Sequence, residues 1–141
     1  LKKTSGNAEI EVSLHKTKGD YYRYLCEFSQ GSQQNVAKKS ADGSYGEAKR
    51  IAQTLEMTHP ARLGVVLNYS VFLYEVMGSA AQAIDDEVVF EAAFKEVDSV
   101  KDEHYKDSTL ILKLMRDNLN VWGEEMEYRD ITDEWGFGVL G

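Results

Sequence analysis

The stretch Lys18-Gly19-Asp20-Tyr21-Tyr22-Arg23-Tyr24-Leu25-Cys26-Glu27-Phe28 sets three tyrosines and a phenylalanine among two cations and two acids. Wound as a helix, Tyr21, Tyr24, Leu25 and Phe28 fall on one stripe with the spacing of a buried side, and Arg23 stands beside it. Lys16, seven residues earlier, shares the Arg23 face about 10 Å away along the axis. A guanidinium fork, an ammonium and the Tyr24 hydroxyl held against a packed wall suit a tetrahedral oxyanion such as phosphate. The same residues also read more plainly, as a core helix whose Arg23 pairs on the surface with Asp20 or Glu27. Both readings make the segment helical and leave its function open.

Outward from this stretch the periodicity stays helical. Residues 1–8 read as a loop or the frayed end of a preceding helix, and a first helix is predicted over Glu9–Gln30 with Ile10, Leu14, Tyr21, Tyr24, Leu25 and Phe28 as its apolar set. Gly19 inside it points to close packing rather than a break, and Gly31-Ser32 closes it. A second helix over Gln33–Met57 carries two glycines, Gly43 and Gly46, that threaten to interrupt it. Thr58-His59-Pro60 is a helix start, with Pro60 near the first turn. The third helix, to Met77, is apolar nearly all round, which makes it the central one. A fourth, from the Ser79–Gln82 capping box to Val100, directs Ala83, Ile84, Val88, Phe90, Phe94 and Val97 inward. Asp85-Asp86-Glu87 reads as its solvated side. After a turn at Lys101–His104, a fifth helix spans Lys106–Trp122 with Leu110, Leu114, Met115, Leu119 and Trp122 in register. The fold class is all-α, an antiparallel helical array over residues 9–122 with an acidic tail over 123–141.

Composition limits the function. The chain has 141 residues, 43% hydrophobic and 28% charged, which fits one globular domain. Its net charge of −8 argues against nucleic acid, and no apolar run is long enough to span a membrane. Six acids against one base lie between Gly123 and Gly141, the pattern of an interaction tail. The single cysteine, Cys26, excludes an internal disulfide, reads as a buried thiol and fits a reducing, cytoplasmic setting. The chain opens on Leu1, not on Met, and reads as cut from a longer one. His15, His59 and His104 lie in separate segments without metal spacing, and no nucleophile elbow or phosphate loop occurs. Catalytic residues, cofactors and metal ligands are therefore not expected.

A binding groove is better supported. Isolated polar residues interrupt apolar faces on three helices: Lys16 with Arg23, Asn68 with Glu75, and Asn118 just before Trp122. Leu114, Asn118 and Trp122 are spaced i, i+4, i+8 and line one strip. An Asn side chain pairs with both N–H and C=O of an extended peptide. With the Arg23-Tyr24 pair these residues sketch a phosphopeptide groove, although each Asn alone also reads as a cap or a solvated residue.

Three motifs in order strengthen that sketch: Lys18–Leu25; His59-Pro60-Ala61-Arg62-Leu63-Gly64 leading to Leu67–Phe72 and Tyr74-Glu75; and Tyr105–Ile111 with Leu114, Arg116–Leu119 and Trp122. They resemble the 14-3-3 proteins, over Ile10 to Trp122, as the C-terminal five helices of that family's longer array. The resemblance implies a phosphoserine- and phosphothreonine-peptide-binding adaptor that regulates partner proteins in signalling and has no enzymatic activity. It implies that Lys16, Arg23 and Tyr24 meet the phosphate and that Asn68 and Asn118 bond the ligand main chain. Glu75 and Trp122 would contact the ligand beyond it, and Leu67, Val71, Leu110, Ile111, Leu114 and Val121 would form the apolar wall. Dimerisation belongs to the family's N-terminal half, which also carries a further Lys and Arg for the phosphate. In the tail, Arg129 stands three residues before Thr132, so that segment reads either as a solvated end or as an intramolecular pseudo-ligand. The rival from another class is a tetratricopeptide-like structural scaffold that binds unphosphorylated partners.

Overall fold

The structure is a computed structural model that describes the backbone of residues 5–91 and 102–134 and the side chains of 7–88, 90 and 103–127. Five helices follow one another: α1 (Ser5–Phe28), α2 (Gly31–Ala52), α3 (Pro60–Glu75), α4 (Ala80–Glu91) and α5 (Asp102–Glu134). Among the described residues there is no strand, as the all-α reading expects. Phe94, Val97 and the segment from Trp135 to Gly141 lie outside the described residues, as do the side chains of Arg129 and Thr132.

The α1–α2 hairpin turns at Gly31, whose φ of +60° an L side chain rarely adopts. Gln34 donates its amide to the carbonyls of Cys26 at 3.0 Å and Ser29 at 3.1 Å, meeting acceptors that the end of α1 leaves open. Where the two helices cross, Gly19 faces the Tyr45 ring, and a Cβ at Gly19 would lie 2.7 Å from two ring atoms. The close packing expected at Gly19 is therefore present. Tyr45 is fully buried and stacks at 5.3 Å on Tyr69, with Phe72 at 5.7 Å. This packing also explains why α2 runs unbroken through Gly43 and Gly46. Ala41, Ser44, Tyr45 and Ala48 are all buried, and that burial outweighs about 1 kcal/mol of lost propensity per glycine.

Helix α3 begins as the sequence predicts. His59 is its N-cap and accepts the Ala61 N–H at 3.0 Å through Nδ1, with Pro60 in the first turn. It packs against all four other helices, while among the described residues the backbones of α1 and α5 make no comparable approach to each other. They flank α3 as two walls whose side chains meet at its N-terminal end.

Three expectations are corrected. The α1 stripe faces outward: Ile10, Leu14, Tyr21, Tyr24 and Phe28 are 60%, 65%, 59%, 52% and 83% exposed. The buried side instead carries Ala8, Val12, Gly19 and Cys26. Small residues let α2 approach closely, so they, and not the bulky stripe, face the partner helix. Glu87, read as solvated, is fully buried, whereas Val88, read as inward, is 50% exposed. Finally, α5 starts at Asp102 and continues past Trp122 to Glu134. One glycine, Gly123, does not stop a helix that good formers continue on both sides.

Candidate functional site

Asp20 is the hub of the polar groove. Its carboxylate pairs with Lys16 Nζ at 3.1 Å and with an Arg23 Nη at 3.6 Å, both on α1. From α3, Asn68 Nδ2 donates to Oδ1 at 3.1 Å and Oδ2 at 3.2 Å. From α2, the Tyr45 hydroxyl donates to Oδ1 at 2.5 Å. Burial first, and then the Asp20 acceptor, hold Tyr45 well above the usual phenol range, so it remains a neutral donor. Two cations around one carboxylate leave one positive charge in excess. Arg23 lies 5.1 Å over the Tyr24 ring, and its buried Nε–H has no acceptor among the described residues. The guanidinium is held in place against that ring and beside a second cation, Lys16, an arrangement that suits an anion.

On the other wall, Glu87 of α4 accepts from the Ser70 hydroxyl of α3, and both side chains are fully buried. Asn118 of α5 lies near this carboxylate and favours its charged form, yet Oε2 has no hydrogen-bond partner among the described residues. Burial dominates and pushes the Glu87 carboxyl up to about 7. Trp122 is 4% exposed and stacks on Tyr74 at 4.5 Å, so its ring belongs to the core below the groove. Leu110, Leu114 and Val121 are 57%, 43% and 51% exposed along one side of α5. Leu67 and Ile111 sit half-buried against the Leu63–Met115 core, and Val71 against the Tyr45–Phe72 core. Glu75 lies apart, lining an open depression of about 210 Å³ with Cys26, Gln34 and Lys38.

The fold thus gathers Lys16, Arg23 and Asn68 around one carboxylate and sets Asn118 on the opposite wall. It leaves Glu75 at the far end of α3, and it turns Trp122 inward. Sequence reasoning missed Asp20 as an organiser, along with Tyr45, Ser70 and Glu87. For Tyr45 the available signal was an aromatic residue between two glycines in an otherwise polar helix. Cys26 is a buried thiol, as expected, with its pKa raised by that burial. His59 and His104, unrelated by spacing, lie with ring centroids 4.6 Å apart at the N-terminal end of α3.

An antiparallel helical array with a cation-bearing polar groove over its central helix defines the class of this molecule. The 14-3-3 protein family profile matches residues 1–123, and the chain belongs to the 14-3-3 family. It is 47% identical over 122 residues to 14-3-3 protein homolog 2 of Echinococcus multilocularis, covering 85% of this chain and 49% of that protein. It is 44% identical over 131 residues to the 14-3-3 protein of Giardia intestinalis, covering 92% of this chain and 53% of that one. With the checkpoint signal transducer rad24 of Schizosaccharomyces pombe it shares 47% identity over 127 residues, covering 88% and 47%. The chain therefore spans about half the length of the curated relatives it matches. No described helix is long and apolar enough to cross a membrane.

Proposed function

We propose that this chain carries ligand-facing residues of a phosphoserine- and phosphothreonine-peptide-binding adaptor that regulates partner proteins in signalling. The observation that carries this reading is the pair of cations, Lys16 and Arg23, held side by side on the Asp20 carboxylate with the Arg23 guanidinium over the Tyr24 ring. A phosphate accepts from the partly exposed guanidinium and ammonium, and the excess positive charge of the cluster offsets the dianion. Asn68, whose Nδ2 is bonded to Asp20, keeps its carbonyl for a ligand main-chain N–H. Asn118 serves the main chain from the α5 wall, and Leu110, Leu114 and Val121 give apolar contact beyond it. The role is binding rather than catalysis. The name of the fission yeast relative, a checkpoint signal transducer, supports the signalling setting. Partner proteins, a cytoplasmic setting and dimer formation through a further N-terminal region belong to the same proposal.

Calorimetry on the full-length protein tests it with a single peptide, with and without phosphate on its serine. The phosphorylated form is expected to bind at least about tenfold tighter, since charge-assisted hydrogen bonds to an Arg contribute about 1.5–3 kcal/mol. Equal affinity for the two forms would assign the groove to a structural scaffold for unphosphorylated partners.

A further inference from the structure

Three side chains from distant parts of the sequence meet at the N-terminal end of α3. Glu9 comes from the beginning of α1, His59 caps α3, and His104 stands in the first turn of α5. One ligand atom from each lies within 4.8 Å of the other two. The His59 Nε2 is already 2.6 Å from a Glu9 carboxylate oxygen.

The backbone beneath them is fixed. The Ser108 hydroxyl donates to the Thr58 carbonyl at 2.7 Å, and both residues are buried. That bond pins α5 to the residue preceding His59. His104 lies one turn before Ser108, which sets its ring over that of His59. His59 itself is held from both sides of its backbone, its N–H donating to Glu56 at 2.9 Å and its carbonyl accepting from Leu63 at 3.0 Å.

We propose that Glu9, His59 and His104 form a binding site for a divalent transition cation of the zinc class, which ties together the N-terminal ends of α1, α3 and α5. Two imidazoles and a carboxylate suit such an ion, whereas magnesium and calcium take oxygen ligands. Around a tetrahedral ion with bonds of about 2.0–2.1 Å, ligand atoms stand about 3.4 Å apart. Rotation of the two partly exposed side chains, Glu9 and His104, opens the 2.6 Å His59–Glu9 pair and brings His104 in to match that spacing. Glu103, 3.5 Å from His104 Nε2, supplies a fourth oxygen or leaves that position to water.

Proton placement follows from the cap. Because Ala61 N–H donates to His59 Nδ1, the neutral ring carries its proton on Nε2, directed at Glu9. A cation that takes the Nε2 lone pair moves this proton through solvent to Nδ1, so the Ala61 bond is exchanged for the metal bond. The site shares no residue with the phosphopeptide groove, and His104 precedes Asn118 by fourteen residues, about 21 Å along α5.

The test is calorimetry with zinc chloride on the full chain, together with thermal melting by circular dichroism. The expected result is saturable uptake of one ion per chain and a raised melting temperature, neither of which magnesium chloride produces. His104→Ala and Glu9→Gln should each weaken zinc binding at least about tenfold, because even loss of a partner outside the ligand shell costs 10–100-fold. Both positions are partly exposed, and unchanged helical ellipticity without zinc confirms that the variants fold. Absence of saturable binding, or retention of full affinity by either variant, would overturn the three-residue site.

Discussion

Asn68 of α3 donates its side-chain amide to both carboxylate oxygens of Asp20 on α1, at 3.1 and 3.2 Å. This bond orients the amide, and the same carboxylate pairs with Lys16 and Arg23. Charge and geometry therefore predict opposite signs for Asp20→Asn. Removing an anion beside two cations should tighten phosphate binding, whereas exchanging one of the two oxygens that position four donors for an amide NH2 should loosen it. We expect loosening by about tenfold, roughly 1.4 kcal/mol. Calorimetry with a phosphopeptide decides, and tighter binding would refute the positioning role of Asp20.

Arg23 sharpens the point. Arg23→Ala should remove about 1.5–3 kcal/mol of phosphopeptide affinity. Arg23→Lys should restore only part of it, because an ammonium cannot reproduce the planar fork over the Tyr24 ring. Full recovery by Lys would mean that charge alone is needed there.

Gly19→Ala tests the floor of the site. Its new Cβ would meet Tyr45 ring carbons at 2.7 Å. That ring is fully buried between aromatic neighbours and tied through its hydroxyl to Asp20. The gain of about 1 kcal/mol in helix propensity is offset by an overpacking penalty of about 1–3 kcal/mol. Urea denaturation should show net destabilisation, and phosphopeptide affinity should fall with it as Tyr45 shifts Asp20. A more stable variant would contradict this packing.

Glu87 gives a pH dependence whose sign can be worked out. Its folded pKa of about 7 lies above the ordinary 4.5, so the native chain keeps a proton that the unfolded chain has already released. The contribution is fully present below about 4.5 and is lost as pH rises through about 7, a change of roughly 3 kcal/mol. Glu87→Gln, a neutral isostere, should raise the melting temperature at pH 8 and leave it nearly unchanged at pH 4.5. Parallel pH profiles for the two proteins would remove Glu87 as the source.

The course of α5 bears on its acidic end. Extended, the nine residues from Gly123 to Ile131 reach about 30 Å, but wound as helix they advance only about 13 Å along the α5 axis. Thr132 can act as an intramolecular ligand only if α5 unwinds after Trp122. Deleting residues 123–141 should therefore leave the affinity of the unphosphorylated protein for an external phosphopeptide within about twofold. A tenfold gain on truncation would show that the segment competes for the groove.

The helix inventory and the central place of α3 were legible because a helix apolar on every side has only one comfortable location. Gly19 was legible for a similar reason, since a glycine kept inside a strong helix usually marks close approach. Burial of the α1 stripe was not legible. Periodicity shows that Ile10, Leu14, Tyr21, Tyr24 and Phe28 share a side, but it is silent on whether another helix covers that side. Asp20 and Glu87 were hidden for another reason. An acid three residues before an Arg, or inside an acidic run, is most often solvated, and only helices arriving from afar make Asp20 a shared acceptor and bury Glu87. The meeting of Glu9 with His59 and His104 has no signature in linear spacing.

The polar bonds that join the helices have a kinetic consequence. Asn68 to Asp20, His59 to Glu9 and Ser108 to Thr58 connect residues 48, 50 and 50 apart. The α1–α2 hairpin, by contrast, closes over two residues, so its contacts are local and rapid to form. Each of the longer closures carries a loop entropy that grows only slowly with length, yet none can be satisfied before α3 docks. Binding competence therefore appears with α3 docking and not with the hairpin. A ligand spanning α1 and α3 should slow unfolding of the finished array and leave the hairpin's rate of formation untouched.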